Sequence, residues 1–154
     1  MKSIIGVILA GVLFFGIIFY LSPRFMPESP FYNFKRIAEK GTMVTKRTPE
    51  AKADYYLYLL DQRYKELDWV SKYKYEYVLS SSLRYSTTAG EAVQLIKTNN
   101  LVEYKQPILD RFSKHKKKYE YHEKTVGVVG GQRGFLRDAI NYIDLYSEDL
   151  KTVN

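Results

Sequence analysis

Only two histidines occur in the chain, His115 and His122, and there is no cysteine. Imidazole is the side chain best suited to proton transfer or zinc ligation near neutral pH, so these two are the first candidates for chemistry. Seven residues separate them. That spacing puts both on one helix face, but about 10.5 Å apart along the axis. A helical metal pair needs i, i+4. Two rings filling a buried stripe is the preferred reading, with a metal or pH-sensing role as its rival. The absence of thiols excludes disulfides, thiolate nucleophiles and Cys-ligated metals. Around His115 runs a basic cluster, and Lys114, Lys116, Lys117 and Lys118 form a candidate patch for an anionic lipid, an anionic envelope polymer or nucleic acid. A solvated helix face explains the same charges. Nucleic acid is disfavoured because no nucleic-acid-binding signature accompanies them. Gly127–Gly134 is glycine-rich but lacks GxxxxGK[ST] and GxGxxG. Amides near Arg133 could hold a phosphate at a helix start; a hinge is the plainer reading. The fifteen tyrosines invite base stacking, yet most fall on or beside apolar stripes, where a ring with a polar tip packs well. The carboxylates fall on solvated helix faces, and no Ser/His/Asp grouping follows from spacing. No catalytic site, cofactor or metal centre is expected, and the chain is read as a non-enzyme.

The elements that carry these residues begin with Ile4–Leu21, eighteen residues without a charge. As a helix this stretch is roughly 27 Å long, close to the roughly 30 Å hydrocarbon core of a bilayer. A cleaved signal peptide needs a shorter apolar run and a small-x-small exit; Phe19-Tyr20-Leu21-Ser22-Pro23 offers none. Residues 1–22 are therefore expected to be an uncleaved, single-pass transmembrane anchor. Residues 23–30, with three prolines in Ser22–Pro30, are expected to be a stiff, extended spacer. Residues 31–154 are expected to form one helical domain. The 24 Lys+Arg against 17 Asp+Glu suit an anionic partner and plain solubility equally.

Periodicity predicts about five helices in an antiparallel bundle, an all-α fold. Phe31–Lys40 reads as a short helix closed by Gly41. Thr48-Pro49-Glu50 is a helix start, followed by the stripe Ala53, Leu57, Leu60, Tyr64, Leu67 to about Val70. Tyr73, Tyr75 and Tyr77 alternate with charges as a strand would. No partner strand is evident, so a tight turn is expected, then a helix to about Thr98. Its inner face is Val78, Ser82, Tyr85, Ala89, Ala92 and Ile96. Gly90 weakens it by about 1 kcal/mol relative to Ala, and Asn99-Asn100 ends it. Pro107 opens a fourth helix with the stripe Ile108, Phe112, His115, Tyr119, His122, Val126; the last carries Leu136, Ala139, Ile143, Tyr146, Leu150, Val153. Such 3-4 spacings favour shallow crossings in bundles.

Two segments carry a family resemblance. Pro27-Glu-Ser-Pro-Phe-Tyr-Asn-Phe-Lys35-Arg36 resembles PGSPLYPLKR. Thr48-Pro-Glu-Ala-Lys-Ala-Asp-Tyr-Tyr-Leu-Tyr-Leu-Leu-Asp-Gln-Arg63-Tyr-Lys-Glu66 resembles SPEKKAELHLELAERRLEE. Both patterns belong to a bacterial domain-of-unknown-function family of helical, extracytoplasmic domains that follow a signal or anchor segment. Glu28 stands where the family has Gly, Tyr55 and Tyr64 where it has Leu, Leu60 where it has Ala, and Gln62 where it has Arg. The resemblance implies a location outside the cytoplasm, whereas the charges flanking Ile4–Leu21 lean slightly the other way. The expected function is a membrane-anchored envelope interaction or scaffold module, held in the membrane through Ile4–Leu21, whose protein partner the residues do not name. The rivals are a cytoplasm-facing basic module on anionic lipid or nucleic acid, and a His-linked envelope sensor or enzyme accessory.

Overall fold

The computed structural model describes residues 11, 13, 16, 17, 20, 24–125 and 131–153. The expected anchor Ile4–Leu21 and the stripe residue Val126 lie largely or wholly outside them. Among the described residues no helix is long and apolar enough to cross a membrane. The class is all-α, with no strand among the described residues. Five helices follow the spacer: α1 (Tyr32–Thr45), α2 (Pro49–Tyr73), α3 (Val78–Asn99), α4 (Lys105–Thr125) and α5 (Gly131–Lys151). Single 3-10 turns at Tyr75–Tyr77 and Val102–Tyr104 join α2 to α3 and α3 to α4. The chain divides into two compact units, Met1–Thr45 and Lys46–Asn154, so four of the five helices form the bundle.

In the first unit, the expected extended spacer is turned instead. Ser29 N–H donates to Met26 C=O at 2.8 Å and Tyr32 N–H to Ser29 C=O at 2.9 Å. These are successive β-turns with Pro27 and Pro30 at their second positions, where the fixed φ of proline is pre-set. α1 then runs four residues past Gly41. Gly41 stays helical because glycine stops a helix only when its backbone turns left-handed.

In the second unit, Thr48 caps α2 as expected, accepting from the Ala51 N–H at 3.2 Å. The Tyr73/Tyr75/Tyr77 alternation is the end of α2 and the turn after it, not a strand. Every residue of the inner face expected for α3 is buried. Asn100 closes α3 in the left-handed region, φ 51°. Leu101 N–H reaches back to Ile96 C=O at 3.0 Å, and both side chains are buried. That is the Schellman arrangement with its apolar contact. α4 begins at Lys105, two residues before Pro107, and α5 begins at Gly131, inside the expected connection.

α2 packs on α3 and α4, and α5 packs on the other side of the same two helices. Hence α2 and α4 run side by side and parallel, as do α3 and α5. Their shared core holds Leu60, Leu67, Val78, Tyr85, Phe112, Tyr119, Leu136 and Ile143. Small α3 residues let α5 come close. Ser82 Oγ donates to the Phe135 carbonyl at 2.7 Å, and a Cβ added to Gly90 would lie 2.7 Å from Tyr146 Oη. The glycine that weakens α3 as a helix therefore makes room for Tyr146.

Candidate functional site

The parallel register of α2 and α4 brings the two histidines to two aspartates with the same seven-residue spacing. His122 Nε2 lies 2.6 Å from Asp68 Oδ1, and His115 Nε2 lies 3.5 Å from Asp61 Oδ1. Both imidazoles are fully buried, while the two carboxylates stand at the bundle edge. The rings thus fill the stripe, and each faces its own carboxylate instead of sharing an ion. Among the described residues no three His, Cys, Asp or Glu side chains converge as a metal site would require.

His115 is enclosed by aromatic rings. Tyr64 stacks on it at 4.2 Å and 7°, and Tyr85 meets it edge-on. Tyr85 Oη lies 3.0 Å from Nδ1, so a neutral ring protonated at Nε2 lets the hydroxyl donate. Burial pushes the imidazole down to about 4. Asp61 pulls the other way but loses, because Arg111 Nε takes its Oδ2 at 3.2 Å and Lys114 and Arg111 also repel a charged ring. Burial likewise raises the Tyr85 and Tyr119 phenols well above their usual range.

Asp68 is the hub of the second pair. Partial burial works to raise its carboxyl, but hydrogen bonds from Lys72 and His122 and their charges outweigh it, and the net shift is downward. Lys72 Nζ donates at 2.7 Å and Lys118 Nζ lies 3.8 Å away. A carboxylate so fully engaged is an anchor between helices, not a free base. His122 Nδ1 and Tyr119 Oη are buried without a hydrogen-bond partner among the described residues.

The basic patch is distributed, not pooled. Lys114 lies over the Tyr64 ring at 6.0 Å. Lys116 pairs with Asp144 of α5 at 2.6 Å. Lys118 lies over Tyr121 at 5.2 Å besides its approach to Asp68, and Lys117 is exposed. Much of the charge is balanced by the bundle's own acids. Near the start of α5, Lys124, Arg133 and Arg137 line a cleft of about 480 Å³, in which Arg137 pairs with Glu123.

Two features went unseen in the sequence. One is a buried ion pair on α2: Arg63 Nη1 donates to both Glu66 oxygens at 2.7 and 2.9 Å, with 6 % and 1 % of the residues exposed. The signal for it was the i, i+3 spacing beside the apolar stripe, at two positions where the family pattern also has Arg and Glu. The other is a groove of about 390 Å³ between α3 and α5, with Leu79, Leu83, Tyr142 and Leu145 along it. All four are exposed, from 42 % to 59 %.

A family model described as Domain of unknown function (DUF5667) matches residues 24–127. The chain belongs to this family. The match bears out the resemblance of the two quoted segments to a bacterial family of unknown function. No curated protein and no solved structure matches the chain. The DUF5667 match spans the described turns, α1 and the bundle through α4, and α5 lies beyond it. One wall of the groove, α3, is therefore family sequence, and the other is not.

Proposed function

We propose that this chain is a non-enzymatic interaction or scaffold module of the cell envelope, anchored in the membrane by Ile4–Leu21 with its helical bundle outside the cytoplasm. The observation that carries the reading is the α3–α5 groove. Four large apolar side chains in i, i+4 and i, i+3 register stand in solvent around one furrow, interspersed with Ser82, Ser86, Asp138 and Asn141, and exposed apolar surface rimmed by polar residues marks a binding face. Its shape suits an amphipathic partner helix laid between two parallel helices. The non-enzymatic part of the reading is supported by the histidines, which are buried and committed to bundle contacts, and by Asp61 and Asp68, which already pair with Arg111 and Lys72.

The test is photo-crosslinking from single positions of the full-length chain in its own membranes. Crosslinks from Leu83 and Leu145 to one protein species, and none from Lys117 on α4, are expected. Crosslinks confined to Lys117 would move the binding face to the basic patch, and none at any of the three would remove the interaction reading.

A further inference from the structure

α1 is amphipathic the wrong way round for a helix buried by its apolar side. Tyr32 and Lys35 are buried at 5 % and 2 %, whereas Ile37 and Val44 are 63 % and 84 % exposed. Phe34, Ile37, Gly41 and Val44 follow each other at 3-4-3 spacing, so they form one stripe about 15 Å long. Arg36 and Lys40, both exposed, run along one edge of that stripe. On the inward side, Lys35 Nζ donates to the Phe25 carbonyl of the preceding turn segment at 3.3 Å.

Charge is concentrated in the same place. Residues 24–47 contain six Lys+Arg (Arg24, Lys35, Arg36, Lys40, Lys46, Arg47) and two acids (Glu28, Glu39), a net of +4 out of +7 for the whole chain. An exposed apolar stripe with a basic edge is what an interfacial helix presents to a bilayer of anionic lipid. Tyr32 lies eleven residues beyond Leu21, at most about 40 Å of chain, and the two β-turns shorten that reach. We infer that α1 lies along the membrane surface, with Phe34, Ile37 and Val44 in the headgroup–acyl boundary and Arg36 and Lys40 on anionic headgroups. This rests on the anchor reading of Ile4–Leu21.

The chain has no cysteine, so single-cysteine variants label cleanly. Ile37→Cys, Val44→Cys and, as a bundle control, Gln94→Cys would each carry an environment-sensitive fluorophore. The full chain is reconstituted in vesicles of phosphatidylglycerol and phosphatidylcholine. Flotation reports the anchor; quenching by nitroxide lipids against aqueous iodide reports α1. The expected result is flotation of all variants, with labels at 37 and 44 quenched by shallow nitroxide lipid several-fold more than the label at 94, and shielded from iodide. Arg36→Glu with Lys40→Glu should lower that lipid quenching while flotation is unchanged. Flotation with iodide-accessible labels overturns the inference and leaves the anchor standing. Labels shielded from both quenchers assign the stripe to a protein and also overturn it. Failure to float removes the anchor reading and the inference together.

Discussion

His115 gives the sharpest test of how the bundle is built. Its imidazole sits between Tyr64 and Tyr85 with no exposed surface and is pushed down from 6.5 to about 4. The unfolded chain therefore binds a proton below pH 6.5 that the folded chain refuses until about pH 4. Stability from this group is complete above pH 6.5 and falls as pH drops towards 4, the direction for a base whose folded pKa is depressed. Across the whole window the loss is about 3 kcal/mol, with about 2 kcal/mol gone by pH 5. Guanidinium unfolding of the full chain in detergent, followed by helical circular dichroism at pH 7 and pH 5, measures it. His115→Phe should lower the stability at pH 7, because Tyr85 loses its partner, and should flatten the pH dependence by that same 2 kcal/mol. With only two histidines, the imidazole proton resonances are few, and the variant assigns them. A His115 resonance titrating near 6.5, or equal pH slopes in the two proteins, refutes the claim that burial outweighs Asp61.

Other substitutions test the remaining contacts by the same unfolding assay. Gly90→Ala should bring no gain in the native chain, where Tyr146 must give way, but should stabilise by about 1 kcal/mol in a Tyr146→Ala background. At Asn100, φ 51° makes Asn100→Ala cost about 1 kcal/mol, while Asn100→Gly should be neutral or better. Arg63→Met should destabilise by removing both Nη1 contacts to Glu66, and Arg63→Met with Glu66→Leu should cost less than the sum of the two single changes.

Much of this fold is written in local spacing. The α3 inner face was readable because 3-4 periodicity follows from helix geometry alone, and all six residues from Val78 to Ile96 are buried. The Thr48-Pro49 start was readable because a cap is a contact three residues long. The Asp61–His115 and Asp68–His122 register was not, since it depends on α4 settling parallel to α2 across about fifty intervening residues. Arg63 and Glu66 were not legible because a carboxylate on a helix ordinarily reads as a solvated face, whereas here the two are buried against each other. Gly41 misled for a different reason: its residue type allows a stop, but the backbone does not take one. The groove was invisible because Leu79 and Leu83 on α3 gain meaning only once Tyr142 and Leu145 of α5 stand beside them.

The claim on which location and function both rest is that Ile4–Leu21 holds an intact chain in the bilayer with its bundle outside. Spheroplasts carrying the full-length chain with a C-terminal tag test it in one preparation, by alkaline extraction, protease treatment from outside and the mass of the membrane-bound species. The expected result is a chain that keeps Met1–Leu21, stays with the membrane at high pH, and loses its tag to protease before lysis. A chain cut near Ser22, released by alkali, or protected until lysis would contradict it.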